Sequence, residues 1–168
     1  MRVLHVLAQL PAKTGSGVYF TNVIEGLESF NHEQAALYGT SPEHNFNILD
    51  TVYEVEFEGK DLDFPIVGMS DIMPYNNTLY KDMTEEMINS WENAFREKLL
   101  KAKEEFNPDV VITHHLWILS SIVCEIFNDK KIIGVCHNKD IRQAEKNPVM
   151  KEKYVLNLGK LDKILALS

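Results

Sequence analysis

Residues 2–27 read RVLHVLAQLPAKTGSGVYFTNVIEGL, and this stretch decides the fold. Its first seven residues carry almost no polarity and do not alternate strictly, the pattern of a strand covered on both faces of a parallel sheet. Pro11 interrupts the run. Gly15-Ser16-Gly17 then leads into Phe20, Val23, Ile24 and Leu27, an apolar stripe at helical spacing that extends to Phe30. A glycine-bearing turn between a buried strand and a helix sets the free N–H groups and the positive dipole end of that helix beside the strand, an arrangement suited to a phosphate. The same residues also suit a plain turn capped by Thr14 or Ser16. The spacing lacks the Gly-Lys-Ser/Thr of a P-loop. Asn22 stands where the third glycine of a dinucleotide fingerprint would fall.

Three more runs have the same doubly covered character: DVVIT (109–113), KIIGVC (131–136) and KILALS (163–168). EQAALYG (33–39) supplies a fifth strand. YEVEF (53–57) and FPIVG (64–68) alternate better and read as short strands near an edge. Helical patterns lie between them. Met83, Met87, Trp91, Phe95, Leu99, Ala102 and Phe106 form the longest stripe, with Glu92–Arg96 and Glu97–Lys101 spaced for pairing on its far side. Asn107-Pro108 ends it. LWILSSIVCEIF (116–127) is apolar nearly all round, so it reads as a buried helix, and 151–158 as a weaker one. This alternation predicts an α/β, Rossmann-like, doubly wound domain: a mainly parallel sheet with helices on both faces. Residues 40–82 are rich in turn formers and are expected to be a long excursion with little regular structure.

A chain of 168 residues suffices for one domain with a real core, so residues 1–168 are taken as a single unit. The net charge of −8 argues against nucleic acid and anionic membrane as general partners. The two cysteines, Cys124 and Cys136, have no metal-ligand spacing and read as reduced thiols of a cytoplasmic protein. The apolar N-terminal run is too short for a signal peptide, and no run reaches the length of a membrane span. The sequence stops directly after a strand-like run. The expectation is therefore a piece of a longer protein.

In an open α/β sheet, ligands bind beyond the carboxyl ends of the strands. That rule selects three loops: Gln9–Gly17, Thr113-His114-His115, and Cys136-His137-Asn138-Lys139-Asp140. His137 suits a base, a hydrogen-bond donor or a ligand, or a rim histidine bonded to a backbone carbonyl. His114 and His115 point in alternating directions, so only one is expected to face the cleft. The three histidines are residue types for zinc, but no cysteine or carboxylate spacing accompanies them, and no metal is expected. Cys136 is assigned to the core, on the face opposite His137. Asp140 suits the cap of the next helix. Lys13, Lys139 and Arg142 would together suit an anionic ligand. A receiver-like module would need an acidic cluster after the first strand, where this chain has Gln9 and Leu10.

Four segments, in order, resemble glycosyltransferase family 4. Residues 1–27 are similar to that family's opening strand, glycine pair and helix. NPDVVITHHLWILSSIV resembles its "PDVVHAHH" strand, IIGVCHNKDIRQAEKNP its "HGTDLR"-like strand end, and LGKLDKILALS its "ADRVIAVS" strand. The resemblance implies a GT-B enzyme of two Rossmann-like domains, of which residues 1–168 are the N-terminal, acceptor-side one and the C-terminal, donor-binding one is absent. It implies transfer from a nucleotide-diphosphate sugar to a carbohydrate or lipid-linked acceptor, with retention, without metal or other cofactor. By the same resemblance Gly15, Ser16 and Gly17 meet the donor diphosphate and His137 is the catalytic histidine. His114, His115, Asn138, Lys139, Asp140 and Arg142 are further cleft residues. The protein would be cytoplasmic, or peripheral at the inner membrane surface. A sugar-nucleotide epimerase of GT-B type and a non-catalytic α/β binding module are the alternatives.

Overall fold

The computed structural model describes residues 1–167, and its opening stretch forms strand β1 (Arg2–Leu7), a loop and helix α1 (Gly15–Glu28). Alternate β1 residues enter two different cores. Leu4 and Val6 join a large cluster with Trp91, Phe95 and Leu99, whereas Leu7 joins Phe20 and Ile24 of α1. Strand β2 (Glu33–Thr40) divides likewise, with Ala35 and Leu37 on one side and Ala36 and Tyr38 on the other. Strands covered on both faces have no position to spare for solvent, which is why these runs lack a polar alternation.

The chain continues through β3 (Val52–Glu56), the two-residue strands β4 (Val67–Gly68) and β5 (Thr78–Leu79), α2 (Glu85–Glu105) and β6 (Val110–His114). Then follow α3 (Ile118–Ile126), β7 (Lys131–Cys136), α4 (Lys139–Lys146), α5 (Pro148–Tyr154) and β8 (Lys163–Ala166). Among the described residues the main sheet has the order β3-β2-β1-β6-β7-β8, and every pairing in it is parallel. The order runs from β1 to one edge and resumes on the other side of β1 at β6. The chain therefore leaves β1 and β6 in opposite directions, and a crevice opens between their carboxyl ends.

Helix α2 begins where the Thr84 hydroxyl accepts the Met87 N–H, and Trp91, Phe95, Leu99 and Ala102 bury its stripe. Truncating Trp91, with its ring centroid 4.4 Å from that of Phe95, would cost about 3–5 kcal/mol. Helix α3 is buried from Ile118 through Cys124, as its composition requires. Its Ser120 hydroxyl donates to the His115 carbonyl at 2.6 Å, so this polar group enters the core satisfied.

Three expectations change. Residues 40–82 are not a loose excursion: Phe57, Phe64, Ile66, Val67 and Met69 are buried in the main core. Spacing did not reveal this because the segment wraps the sheet rather than forming a long element of it. Of the run at 163–168, Lys163–Ala166 form strand β8, which is exposed along its length as an edge strand of the sheet. Ser168 lies outside the described residues. The pair Glu92–Arg96 forms, whereas Lys101 turns to Glu105 rather than Glu97. Among the described residues no helix is long and apolar enough to cross a membrane.

Candidate functional site

A cleft of about 460 Å³ lies at the strand-order reversal, over the carboxyl ends of β1, β6 and β7. One wall is the loop after β1. Thr14 is the N-cap of α1, and its hydroxyl accepts the Gly17 N–H at 3.0 Å. The Gln9 amide donates to the Ser16 hydroxyl at 2.7 Å and so braces the strand end against the helix start. Lys13 is held with φ at 63°, and its ammonium donates to His44 Nε2 at 2.8 Å. The imidazole of His44 thereby stays neutral; burial and the Lys13 charge both lower its pKa.

The predicted glycines separate into two roles. Gly15 lines the cleft, and a Cβ placed on it would touch nothing within 4 Å. Ser16 also lines the cleft. Gly17 is buried and faces the other way. A Cβ there would come within 2.7 Å of the Ala12 nitrogen and the Leu10 oxygen, so this glycine lets α1 start against the preceding loop. Its N–H is already taken by Thr14, which removes it from the groups available to an anion.

The facing wall comes from β6, β7 and the start of α4. His114 is fully buried, its ring 5.2 Å from Phe20, and belongs to the core. His115 lines the cleft with φ at 65°. Strand β6 ends at His114, so the left-handed backbone of His115, rather than strand alternation, sets where its ring lies. His137 lines the cleft as well, its Nε2 3.4 Å from His114 Nδ1 and its ring 4.4 Å from that of His115. Burial, and then the neighbouring His115, push the His137 pKa down to about 4, so it is neutral at physiological pH. His114 is held neutral more strongly, again chiefly by burial.

Asp140 is not the cap of α4, whose N-cap is Asn138. Its buried carboxylate turns back under the cleft. Oδ2 accepts the Leu116 and His137 N–H groups at 2.7 and 2.9 Å, and Oδ1 lies 2.7 Å from His115 Nδ1. Asn138 and Lys139 line the cleft, whereas Arg142 borders an adjoining hollow with Lys146. The expected cation group therefore reduces to Lys13 and Lys139 at this site. Cys136 is half-buried rather than in the core, and burial raises its thiol pKa. Among the described residues no group of three His, Cys, Asp or Glu is arranged to hold a metal ion.

Sequence reading missed Tyr19 and the segment Met69–Pro74, which completes the rim. Tyr19 sits in the α1 stripe region and stacks edge-on to His114 and His137 at 5.9 and 5.8 Å. Its position one residue before Phe20 marks the neighbouring face of the helix. The 69–74 segment carries no comparable signal.

No protein-family model matches the chain, and no curated protein matches it. Solved structures do. A sucrose-phosphate synthase from Thermosynechococcus elongatus superposes with a TM-score of 0.61 at 10% identity, over 98% of this chain and 42% of that one. A putative UDP-N-acetylglucosamine 2-epimerase from Listeria monocytogenes gives 0.59 at 10% identity, over 98% and 39%. A UDP-GlcNAc 2-epimerase from Neisseria meningitidis, bound to UDP-GlcNAc, gives 0.53 at 12% identity, over 96% and 39%. At these identities the likeness establishes the α/β, Rossmann-like fold. The chain spans about two fifths of the length of these structures.

Proposed function

We propose that this chain is the acceptor-side half of a GT-B enzyme that transfers a sugar from a nucleotide-diphosphate sugar, in the manner of glycosyltransferase family 4. The observation that carries the reading is the open first turn of α1 at the strand-order reversal. Gly15 has free space above it in a cleft that also holds Lys13, Lys139 and His137. A leaving diphosphate lying there would meet unpaired N–H groups and the helix dipole, which neutralise charge without a metal. His137, neutral and at the cleft, would hydrogen-bond the donor sugar or orient it for attack. The names of the similar structures, a sucrose-phosphate synthase and epimerases of a UDP sugar, agree with nucleotide-sugar chemistry. The second reading, epimerisation, draws on those epimerases.

The remaining donor contacts would come from a further domain, as would sustained turnover. Residues 1–168 alone are therefore expected to transfer no sugar. The test is incubation of the full-length protein with UDP- and GDP-sugars, followed by analysis of the products. A glycosylated acceptor supports transfer, an isomerised nucleotide sugar supports epimerisation, and binding of neither nucleotide sugar overturns both.

A further inference from the structure

Asp140 does more than join two loops. It is 3% exposed, and Oδ2 is occupied by two backbone N–H groups, so the carboxylate cannot turn. Oδ1 is left facing His115 Nδ1 at 2.7 Å. A carboxylate only accepts, so Nδ1 must carry the hydrogen. The His115 backbone beneath it is fixed as well. Its N–H donates to the Val135 carbonyl at 3.1 Å, and its own carbonyl accepts from Ser120 Oγ and from the Trp117 N–H at 2.6 and 2.8 Å. Its φ of 65° is a conformation a non-glycine residue adopts only when its surroundings hold it there.

The other nitrogen, His115 Nε2, is buried and has no partner among the described residues, although the residue lines the cleft. Buried polar atoms are nearly always paired, and leaving one unpaired costs about 1–3 kcal/mol. We infer that Asp140 is a positioning residue that locks His115 in its Nδ1–H tautomer, so that Nε2, covered in the unliganded protein beside the His137 ring, keeps an unshared electron pair for a ligand hydroxyl that enters the cleft wall. A sugar hydroxyl is the chemistry this serves: it donates to a nitrogen that cannot donate back.

The inference rests on the cleft being a ligand site, but the tautomer is read in the unliganded protein. Its failure would leave the nucleotide-sugar reading standing, and failure of nucleotide-sugar binding would leave the tautomer result standing. The measurement is two-bond proton–nitrogen correlation on histidine-labelled protein at neutral pH, with His115 assigned by its absence in His115→Gln. The expected spectrum shows Nδ1 protonated and Nε2 bare. In Asp140→Asn the amide oxygen keeps the two backbone donors and the NH2 faces the imidazole, which moves the proton to Nε2 while the fold is retained. A wild-type His115 protonated on Nε2, or on both nitrogens, overturns the inference. So does an unchanged tautomer in folded Asp140→Asn. If that variant does not fold, the wild-type spectrum decides alone.

Discussion

The loop after β1 and the loops after β6 and β7 face each other across one cleft, yet they are held by different physics. The first is fixed by shape and neutral hydrogen bonds. Gly17 admits backbone at distances no side chain allows, Thr14 caps the helix, and Gln9 braces Ser16. The second is fixed by one buried carboxylate that gathers His115, Leu116 and His137. A wall built on shape leaves its N–H groups open to an incoming anion. A wall built on a buried charge sets the hydrogen-bonding state of the groups it holds.

Breaking the second wall should have the largest effect. Asp140→Leu leaves two backbone N–H groups and His115 Nδ1 without partners, and at about 1–3 kcal/mol each the loss should reach roughly 5 kcal/mol. Urea unfolding measures it, and a loss below about 1 kcal/mol would show that the carboxylate is not the tie described. The first wall breaks at Gly17. Valine there must displace backbone at 2.7 Å and should cost about 3 kcal/mol, read as a shift of the urea midpoint. If Gly17→Val unfolds at the wild-type midpoint, the packing explanation of that glycine is wrong.

Acid should separate the walls further. The pKa of His137 is lowered to about 4 by burial, as is that of His5 inside the sheet. The unfolded chain takes up these protons near pH 6.5, before the folded one does, so stability is full above that pH and falls as pH drops toward 4. A group shifted as far as His5 should cost roughly 2 kcal/mol by about pH 5. Urea midpoints that do not move between neutral pH and pH 5 would refute the neutral, buried histidines. Thr14→Ala should remove about 1 kcal/mol by uncapping α1, a shift that thermal melting resolves. Gly15→Ala should change stability by less than about 0.5 kcal/mol, because its Cβ meets nothing. A Gly15 variant as damaging as Gly17→Val would erase the distinction between the two glycines.

The same contrast explains what could be read in the sequence. The first wall was legible because glycine between strand and helix has a local signature, although that signature did not say which glycine was open. The second wall was legible only as residue types at strand ends. Asp140 acts on partners 25 and 24 positions earlier, and no local pattern encodes that. The sheet shows the same limit: β1 and β8 are similar apolar runs, but burial depends on what lies over them, so β1 is buried and β8 exposed. The wall at Met69–Pro74 comes from a segment whose turn formers hid its buried residues.

The central claim is that the open first turn of α1 receives a diphosphate. Amide chemical shifts of the nitrogen-labelled protein during titration with inorganic pyrophosphate, and separately with UDP, test it most directly. Saturating shifts are expected at Gly15 and Ser16 with smaller ones at Lys13 and Lys139, and none around the polar hollow at Asp109, Lys130 and Lys160 on the opposite end of the sheet. Shifts that spare Gly15 and Ser16 at millimolar ligand, or that appear equally at that far hollow, would contradict it.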